Sequence, residues 1–363
     1  MKVLLSVIFV LLLLIQSLEC KEVEDLLGRR IKVPEKVERL VAIGPGALRM
    51  ITYLSSVDKV VGVERVEKGG FTPYGRPYTL AIKEKIKDLP LIGEGGPGKL
   101  PDFEKIVSVK PDVIFAVGFD RGTMDMIQER TMIPVIALDY GSVGVLRAKK
   151  FIDSLTLVGS IVGRENRVME IDEFLKRTEE YLAQKTLNQK EKPKVYAGGI
   201  GFKGQHGITS TEAGFLPFKL VNVKNVVDDF GKDGHLFLEK EKLLSLNPDI
   251  IFVDVNGLSI FQKELIDSPG LFMNLKAIKE NKLFTILPYN YYNTNVELAV
   301  TNAFFIGKVV YPASFKNVNI DEQAERIIRF FVSESVYGEI KRNFGFFGKI
   351  VIEKGKITVL SNW

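Results

Sequence analysis

A twelve-residue pattern occurs twice in the chain and constrains its architecture more than any other feature. Residues 104–115 read EKIVSVKPDVIF and residues 241–252 read EKLLSLNPDIIF, with seven identical positions and four exchanges between apolar side chains. In each copy a helical segment ends before a proline and a continuous apolar run follows. Such a run is typical of a parallel strand that is covered on both faces. The repeat therefore predicts an α/β protein with two similar lobes, each with a mostly parallel sheet flanked by helices.

Each copy also places an aspartate, Asp112 or Asp249, directly after its proline. An acidic side chain at both positions could indicate catalysis. However, Pro-Asp is favourable in turns, where the carboxylate accepts hydrogen bonds from nearby backbone amides. We therefore interpret both aspartates as structural residues.

Residues 145–186 lie between the two copies and contain no proline. Apolar side chains such as Phe151, Leu155 and Ile171 follow spacings of three and four, which predicts one long amphipathic helix. At 1.5 Å per residue this helix would be about 60 Å long, so we expect a stiff connector between the lobes. A break at Gly159 or Gly163 is the alternative. The predicted organisation is a signal peptide at 1–20, a first lobe at 21–144, the interlobe helix at 145–190 and a second lobe at 191–363.

The first twenty residues have the pattern of an export signal. Lys2 precedes an apolar run at 3–15, which is short for a membrane span but suits a secretory signal peptide. We therefore expect a periplasmic or other extracytoplasmic protein. Cys20 is the single cysteine, which excludes an internal disulfide. Its position resembles the lipidated cysteine of bacterial lipoproteins, but Glu19 stands where those have a small residue, so a lipid anchor at Cys20 is the alternative to simple cleavage.

Composition and motifs argue against several functional classes. The net charge is +5 and no basic run alternates with aromatic residues, so we expect no nucleic-acid partner. Residues 93–99 have the spacing of a phosphate-binding loop, but Leu100 replaces the Ser or Thr that would bind Mg²⁺. Two histidines and no other usable soft ligand argue against an all-protein transition-metal site, and we expect no cofactor. Ferric iron held by tyrosinate and carboxylate oxygens remains open. We expect no enzymatic activity; an exported chelate reductase or hydrolase is the alternative.

Candidate binding residues follow predicted strands, because ligands bind beyond the carboxyl ends of strands in open α/β sheets. Arg49 lies in the first turn of a predicted helix, where a cation opposes the helix dipole, so it meets either a bound anion or a carboxylate of the protein. Arg76 lies among aromatic residues, a combination that suits a flat or chelated anion. Its neighbours in this loop are Phe71, Tyr74 and Tyr78.

Two further loops belong to the second lobe. His206 lies between glycines after a predicted strand, where an imidazole can bind a metal or a carboxylate. Three tyrosines and two asparagines follow another strand at Tyr289, Asn290, Tyr291, Tyr292 and Asn293. Tyrosines supply apolar area with a hydroxyl, and asparagines supply donors and acceptors. The spacings of Thr209 with Glu212 and of Thr294 with Glu297 predict capping boxes at two helix starts.

The chain resembles the periplasmic substrate-binding proteins of ABC importers for ferric siderophores, haem and cobalamin. The resemblance rests on LGRRIKVP at 27–34, the strand–helix–strand at 39–63, PLIG at 90–93, the repeated unit and the long interlobe segment. The sequence GQHGITST at 204–211 and the tyrosine–asparagine loop are most similar to the iron-uptake members.

The resemblance implies a monomer that binds an iron(III) complex between its lobes and docks on an ABC permease. The ligand-binding residues that we predict are Arg49, Tyr74, Arg76, Tyr78, His206, Tyr289, Asn290, Tyr291, Tyr292 and Asn293. The family often carries an acidic residue for docking where this chain has Arg49, which puts that contact in doubt. Ferric siderophore, ferric citrate, haem and cobalamin are all compatible with the sequence.

Overall fold

A computed structural model describes residues 20–69, 73–142, 144–190 and 192–362. The signal peptide predicted at 1–20 falls outside these ranges except for Cys20, and Phe71 of the aromatic loop also falls outside them. None of the helices in the described ranges combines the length and the hydropathy that a membrane span requires. Cys20 is exposed and begins the first strand.

The first lobe is built on a parallel sheet that follows an antiparallel strand pair. The strands are β1 (Cys20–Glu24), β2 (Arg30–Pro34), β3 (Leu40–Ile43), β4 (Val60–Gly62), β5 (Val113–Val117) and β6 (Val135–Leu138). The sheet order is β4-β3-β5-β6, with every pair parallel, while β1 pairs only with β2. The helices are α1 (Ala47–Tyr53), α2 (Pro77–Ile86), α3 (Phe103–Ser108) and α4 (Arg121–Thr131).

Two helices, α5 (Lys149–Val162) and α6 (Glu165–Thr186), connect the lobes. The prediction of one long helix is therefore wrong, and the alternative break at Gly163 is correct. Gly163 ends α5 in the left-handed conformation, with φ at 72°, and its N–H donates to the carbonyl of Gly159. The 22 residues of α6 extend about 33 Å, roughly half the predicted length.

The second lobe contains a mixed sheet. Its strands are β7 (Lys194–Gly198), β8 (Ser210–Ala213), β9 (Lys224–Asn225), β10 (Gly234–Phe237), β11 (Ile250–Asp254), β12 (Leu283–Ile286), β13 (Gly348–Glu353) and β14 (Lys356–Leu360). The sheet order is β14-β13-β12-β11-β7-β9, in which β12, β11, β7 and β9 are parallel. The predicted C-terminal hairpin of β13 and β14 adds the antiparallel edge. Strands β8 and β10 form a separate antiparallel pair.

Helices cover the sheet of the second lobe. They are α7 (Leu216–Leu220), α8 (Lys240–Leu246), α9 (Leu258–Asp267), α10 (Pro269–Phe272), α11 (Lys276–Lys279), α12 (Val296–Val310), α13 (Ile320–Val332) and α14 (Tyr337–Asn343). Short 3₁₀ turns occur at Val57–Lys59, Arg65–Lys68, Pro73–Gly75, Asp228–Phe230 and Val255–Gly257. The mixed α/β architecture with mostly parallel sheets is as predicted.

The hydrophobic core is continuous between the lobes. Alternating strand residues face opposite layers: Leu40 and Ala42 pack into a large central cluster, while Val41 and Ile43 pack into the outer layer of the first lobe. The central cluster also contains residues of α5, α6 and the inner face of the second sheet. The second lobe has its own outer layer around Phe261. The two lobes are therefore joined by packing as well as by chain.

Asp112 and Asp249 perform the structural role that their turns predict. One carboxylate oxygen of Asp112 accepts hydrogen bonds from the amides of Glu38 and Arg39, both at 2.8 Å. Asp249 accepts the amide of Lys194 at 2.8 Å and pairs with Lys276. In each lobe the repeated turn thus anchors the start of the neighbouring strand.

Both predicted capping boxes are wrong. Glu212 lies in strand β8, where residues 210–213 pair with β10 instead of starting a helix. Helix α12 begins after Asn295, without a side-chain cap, and Glu297 is fully buried within its first turn. Tertiary contacts therefore override the local pattern at both positions, because each glutamate bonds a tyrosine hydroxyl.

Candidate ligand-binding cleft

A cleft lies between the lobes where the strands of the first sheet end. Two adjoining cavities, of about 70 and 270 Å³, share Tyr140, Gly141 and Asn293 in their walls. The larger cavity is bounded by the ends of β5 and β6, including Gly118. The smaller extends toward Leu216 of the second lobe. The cleft is thus at the carboxyl edge of the strands, where open α/β sheets bind ligands.

The tyrosine–asparagine segment forms the second-lobe wall of this cleft. Asn293 lines both cavities, and Tyr289 and Asn290 line the smaller one. The hydroxyl of Tyr289 donates to Glu212, and the amide of Asn290 donates to the same carboxylate at 3.2 Å. Burial raises the pKa of Glu212 to about 7, although these two hydrogen bonds favour its ionised form.

The segment also crosses to the first lobe. Tyr292 and Asn293 adopt the left-handed conformation, with φ of 56° and 74°, which turns the chain toward α1. The amide of Asn293 donates to the carbonyl of Pro45 at 3.2 Å, and that of Asn295 donates to Gly75 at 3.1 Å. The ring of Tyr291 covers Gly75 so closely that an added Cβ would lie 3.2 Å from it. Small residues in the first lobe therefore make room for the segment.

Arg49 of the first lobe holds the segment through hydrogen bonds. Its fully buried guanidinium donates to the carbonyls of Tyr291, Tyr292 and Thr294 at 2.9, 3.1 and 3.1 Å. The sequence left a bound anion and a protein carboxylate as its alternative partners. In the described chain, three backbone carbonyls are its nearest acceptors, and its Nε has no partner. Arg49 therefore positions the cleft wall.

Arg76 and Tyr78 belong to a buried polar cluster behind the cleft. Arg76 pairs with Glu67 at 3.2 Å, and the hydroxyl of Tyr78 donates to the same carboxylate at 2.8 Å. The guanidinium also lies 5.5 Å from the ring of Tyr292. Neither residue lines the two cleft cavities. Tyr74 is half-buried and lines a different cavity, of about 460 Å³, beside Lys83. Cargo contacts by these three residues stay predictions.

Glu64 is a buried group that the sequence did not single out. It accepts the amide of Gly44 at 2.9 Å, and the hydroxyl of Tyr292 lies 3.5 Å from the same oxygen. Burial raises the pKa of Glu64 to about 8. The amide of Gly96 donates to Tyr292 at 3.0 Å, so the glycine-rich loop supports the cleft wall. A buried carboxyl has no sequence signature, because its burial arises from packing of distant segments.

His206 lies apart from the cleft cavities, in a ring cluster on the second lobe. Its Nε2 is 2.7 Å from the carbonyl of Phe202, and its ring centroid is 6.4 Å from that of His235. Burial lowers the pKa of His235 to about 4. Both histidines of the chain are therefore neighbours, which their separation in sequence did not reveal.

Residues 40–289 match the model of the periplasmic binding protein family. The chain belongs to this family. Its members are periplasmic solute-binding proteins that work with ABC permeases, so an extracytoplasmic location follows. The molybdate-binding protein MolA of Haemophilus influenzae is 20% identical over 86% of this chain and 91% of its own.

Solved structures share the fold of this chain. A periplasmic solute-binding protein from Veillonella parvula DSM 2008 superposes with a TM-score of 0.69, at 17% identity, over 90% of this chain and 97% of its own. A protein of an ABC-type Fe³⁺-hydroxamate transport system from Saccharomonospora viridis DSM 43017 gives a TM-score of 0.53, at 16% identity, over 80% of this chain and 98% of its own. At these identities the structures establish the fold and leave the cargo open.

Proposed function

We propose that the protein captures an iron(III) complex in the cleft between its lobes and delivers it to an ABC permease. The observation that carries the proposal is the cleft itself, in which the ends of β5 and β6 face Asn293 of the other lobe and Asn290 lines the adjoining smaller cavity. Amide side chains and main-chain groups suit an oxygen-rich solute that is held by hydrogen bonds. The similarity to a Fe³⁺-hydroxamate system supports the choice of iron.

The donor groups favour a complete complex over a bare ferric ion. Burial raises the pKa of Tyr140, Tyr289 and Tyr292, which disfavours the phenolate that would coordinate iron. The part of the chain that the structure describes holds no group of three or more His, Cys, Asp or Glu side chains placed for a metal ion. The proposed cargo therefore brings its own ligands.

Molybdate is the second candidate, because the cavities of about 70 and 270 Å³ suit a small oxyanion. The similarity to MolA over most of both chains supports it. A tetrahedral oxyanion needs several hydrogen-bond donors, which the main chain at Gly118 would have to supply, because the amide of Gly141 already donates to Asp139 at 2.8 Å.

Delivery to a permease requires a surface on each lobe. The side chain of Arg49, at the position where the family often has a docking acid, is 0% exposed. It is bonded to the second lobe and is therefore not available to a permease. We infer that first-lobe docking uses other residues.

The test is isothermal titration calorimetry of the tag-free chain from Lys21 with a ferric trihydroxamate, ferric citrate and sodium molybdate. We expect saturable 1:1 binding of a ferric complex and at least tenfold weaker binding in Asn290→Ala. Asn274→Ala, which changes an exposed asparagine, is the matched control. Binding of molybdate alone would establish the second candidate. A folded protein that binds none of these solutes would contradict the proposal.

A further inference from the structure

The two histidines of the chain converge from separate segments of the second lobe. His206 lies in the loop after β7, and His235 lies in β10, with ring centroids 6.4 Å apart. Phe202 stacks on His235 at 4.2 Å. Phe237 presents an edge to both imidazoles, at 4.9 and 4.5 Å. The aromatic contacts therefore hold both rings in fixed orientations.

Hydrogen bonds determine which nitrogen of each ring carries a proton. The Nε2 of His206 lies 2.7 Å from the carbonyl of Phe202, which only accepts, so Nε2 must donate. The Nε2 of His235 lies 2.7 Å from the hydroxyl of Ser210. That hydroxyl already donates its single proton to the carbonyl of Ile200 at 2.6 Å, so it accepts from His235.

Both rings therefore carry the proton on Nε2 in their neutral form, and Nδ1 keeps its lone pair. Among the described residues neither Nδ1 atom has a hydrogen-bond partner. A donor bond from one ring nitrogen to an oxygen is the arrangement that orients a metal-binding histidine and raises the basicity of its other nitrogen. Hydrophobic packing alone does not explain this arrangement of the two imidazoles, because Phe202 and Phe237 are 43% and 58% exposed.

We propose that His206 and His235 form a metal-binding site for a borderline transition-metal cation, with Cu²⁺ bound most tightly. With ring centroids 6.4 Å apart, an ion about 2.0–2.1 Å from each Nδ1 requires the two nitrogens to lie on opposite sides of the ion, an arrangement that square-planar Cu²⁺ allows. Imidazole nitrogen suits Cu, Zn and Ni, and divalent affinity for such ligands is highest for Cu²⁺. Water or a small anion completes the coordination, because the described residues supply no third ligand.

The site goes beyond the proposed function, since neither histidine lines the cleft cavities. One nearby charge opposes it: the ammonium of Lys203 lies 5.4 Å from the ring centroid of Phe202. Two ligands and an adjacent cation imply modest affinity. Removal of that cation should strengthen binding, which a purely adventitious surface contact elsewhere would not show.

The experiment is titration of the tag-free chain from Lys21 with Cu²⁺, read by calorimetry and by electron paramagnetic resonance. We expect one equivalent to bind with splitting from two nitrogens in the wild-type spectrum. His206→Asn and His235→Asn should each weaken binding at least tenfold, and Lys203→Ala should tighten it. Circular dichroism checks that each variant is folded.

Two results would overturn the site: a wild-type spectrum without two-nitrogen coordination, or equal Cu²⁺ affinity in the His206→Asn, His235→Asn double variant. Binding of the ferric complex or molybdate should be unchanged in that double variant. Failure of the metal site is thereby distinguishable from failure of the cleft.

Discussion

Arg49 shows how a residue that is unfavourable in its local context becomes intelligible in the tertiary structure. A cation in the first turn of α1 opposes the helix dipole. It is nevertheless fully buried, because the carbonyls of the crossing segment surround it. Its charge is therefore compensated by oriented dipoles of the second lobe, and those carbonyls depend on it in return.

Arg49→Met should destabilise the fold by at least about 3 kcal/mol, since it leaves several buried carbonyls unpaired. Arg65→Met is the matched control: Arg65 pairs with Glu94 at 2.9 Å, but both side chains are more than half exposed. That change should cost less than about 1 kcal/mol. Urea denaturation measures both free energies, and equal values for the two variants would contradict the role assigned to Arg49.

Buried carboxyls make stability depend on pH. Burial raises the pKa of Glu64 from 4.5 to about 8, and that of Asp254 from 3.8 to about 8. The folded protein thus keeps protons that the unfolded chain releases above about pH 4.5. The contribution of these two carboxyls to the free energy of unfolding is complete below that pH and is lost as the pH rises toward 8. The urea concentration at the unfolding midpoint should therefore decrease as the pH rises from 5 to 8.

Glu64→Gln should flatten this pH profile, because its amide cannot ionise. The exposed Glu104→Gln is the control and should leave the slope as in the wild type. Glu212, whose pKa burial raises to about 7, contributes with the same sign, so the slope should decrease without disappearing. An unchanged slope in Glu64→Gln would show that Glu64 is ionised in the folded state.

At the level of elements, both lobes contain the same Pro-Asp turn, at Asp112 and at Asp249. Asp112→Ala removes two amide hydrogen bonds at the start of β3, and Asp249→Ala removes one at β7 together with the Lys276 pair. Each change should cost about 1–3 kcal/mol. Asp153→Ala, which removes an exposed pair with Lys149, should cost less than about 0.5 kcal/mol. Thermal unfolding of the three variants checks this order.

Elements with a strong local signal were predictable, whereas those decided by distant partners were not. The apolar run of β5 and its copy in β11 identify buried strands, because only a covered parallel strand is apolar on both faces. The sequence left the length of the connector open, since a glycine permits a left-handed turn such as that at Gly163 without requiring it. Glu212 and Glu297 had helix-start spacing, but their tyrosine partners come from elsewhere in the chain.

The cleft shows the same division. Loops after predicted strands and the residue types of Tyr289–Asn293 pointed to this segment, which lies in the cleft wall, while its contact with cargo stays a prediction. That the segment crosses from the second lobe to the first could not be predicted, because the left-handed turn at Tyr292 and Asn293 is visible only in the structure. Glu64 and the pairing of His206 with His235 likewise depend on folding of separate segments.

For the whole molecule, the central question is how far the lobes move when cargo binds. The central hydrophobic cluster includes residues from both sheets and from the α5–α6 connector. Polar bonds also cross the cleft, from Arg49 to Tyr291 and from Tyr53 to Glu297. Separation of the lobes would expose apolar surface and leave these groups unpaired. A largely preformed cleft is therefore expected.

Small-angle X-ray scattering with and without the saturating solute should show a change in radius of gyration of less than about 1 Å. Tyr53→Phe removes the hydroxyl that bonds Glu297 and accepts the amide of Val296, so its unliganded form should be larger and should contract more on binding. Tyr181→Phe changes a ring that is 39% exposed and should behave as the wild type. A large contraction of the wild type would show that the packed interface opens in solution. The cross-lobe bonds would then be a consequence of closure and could not be its cause.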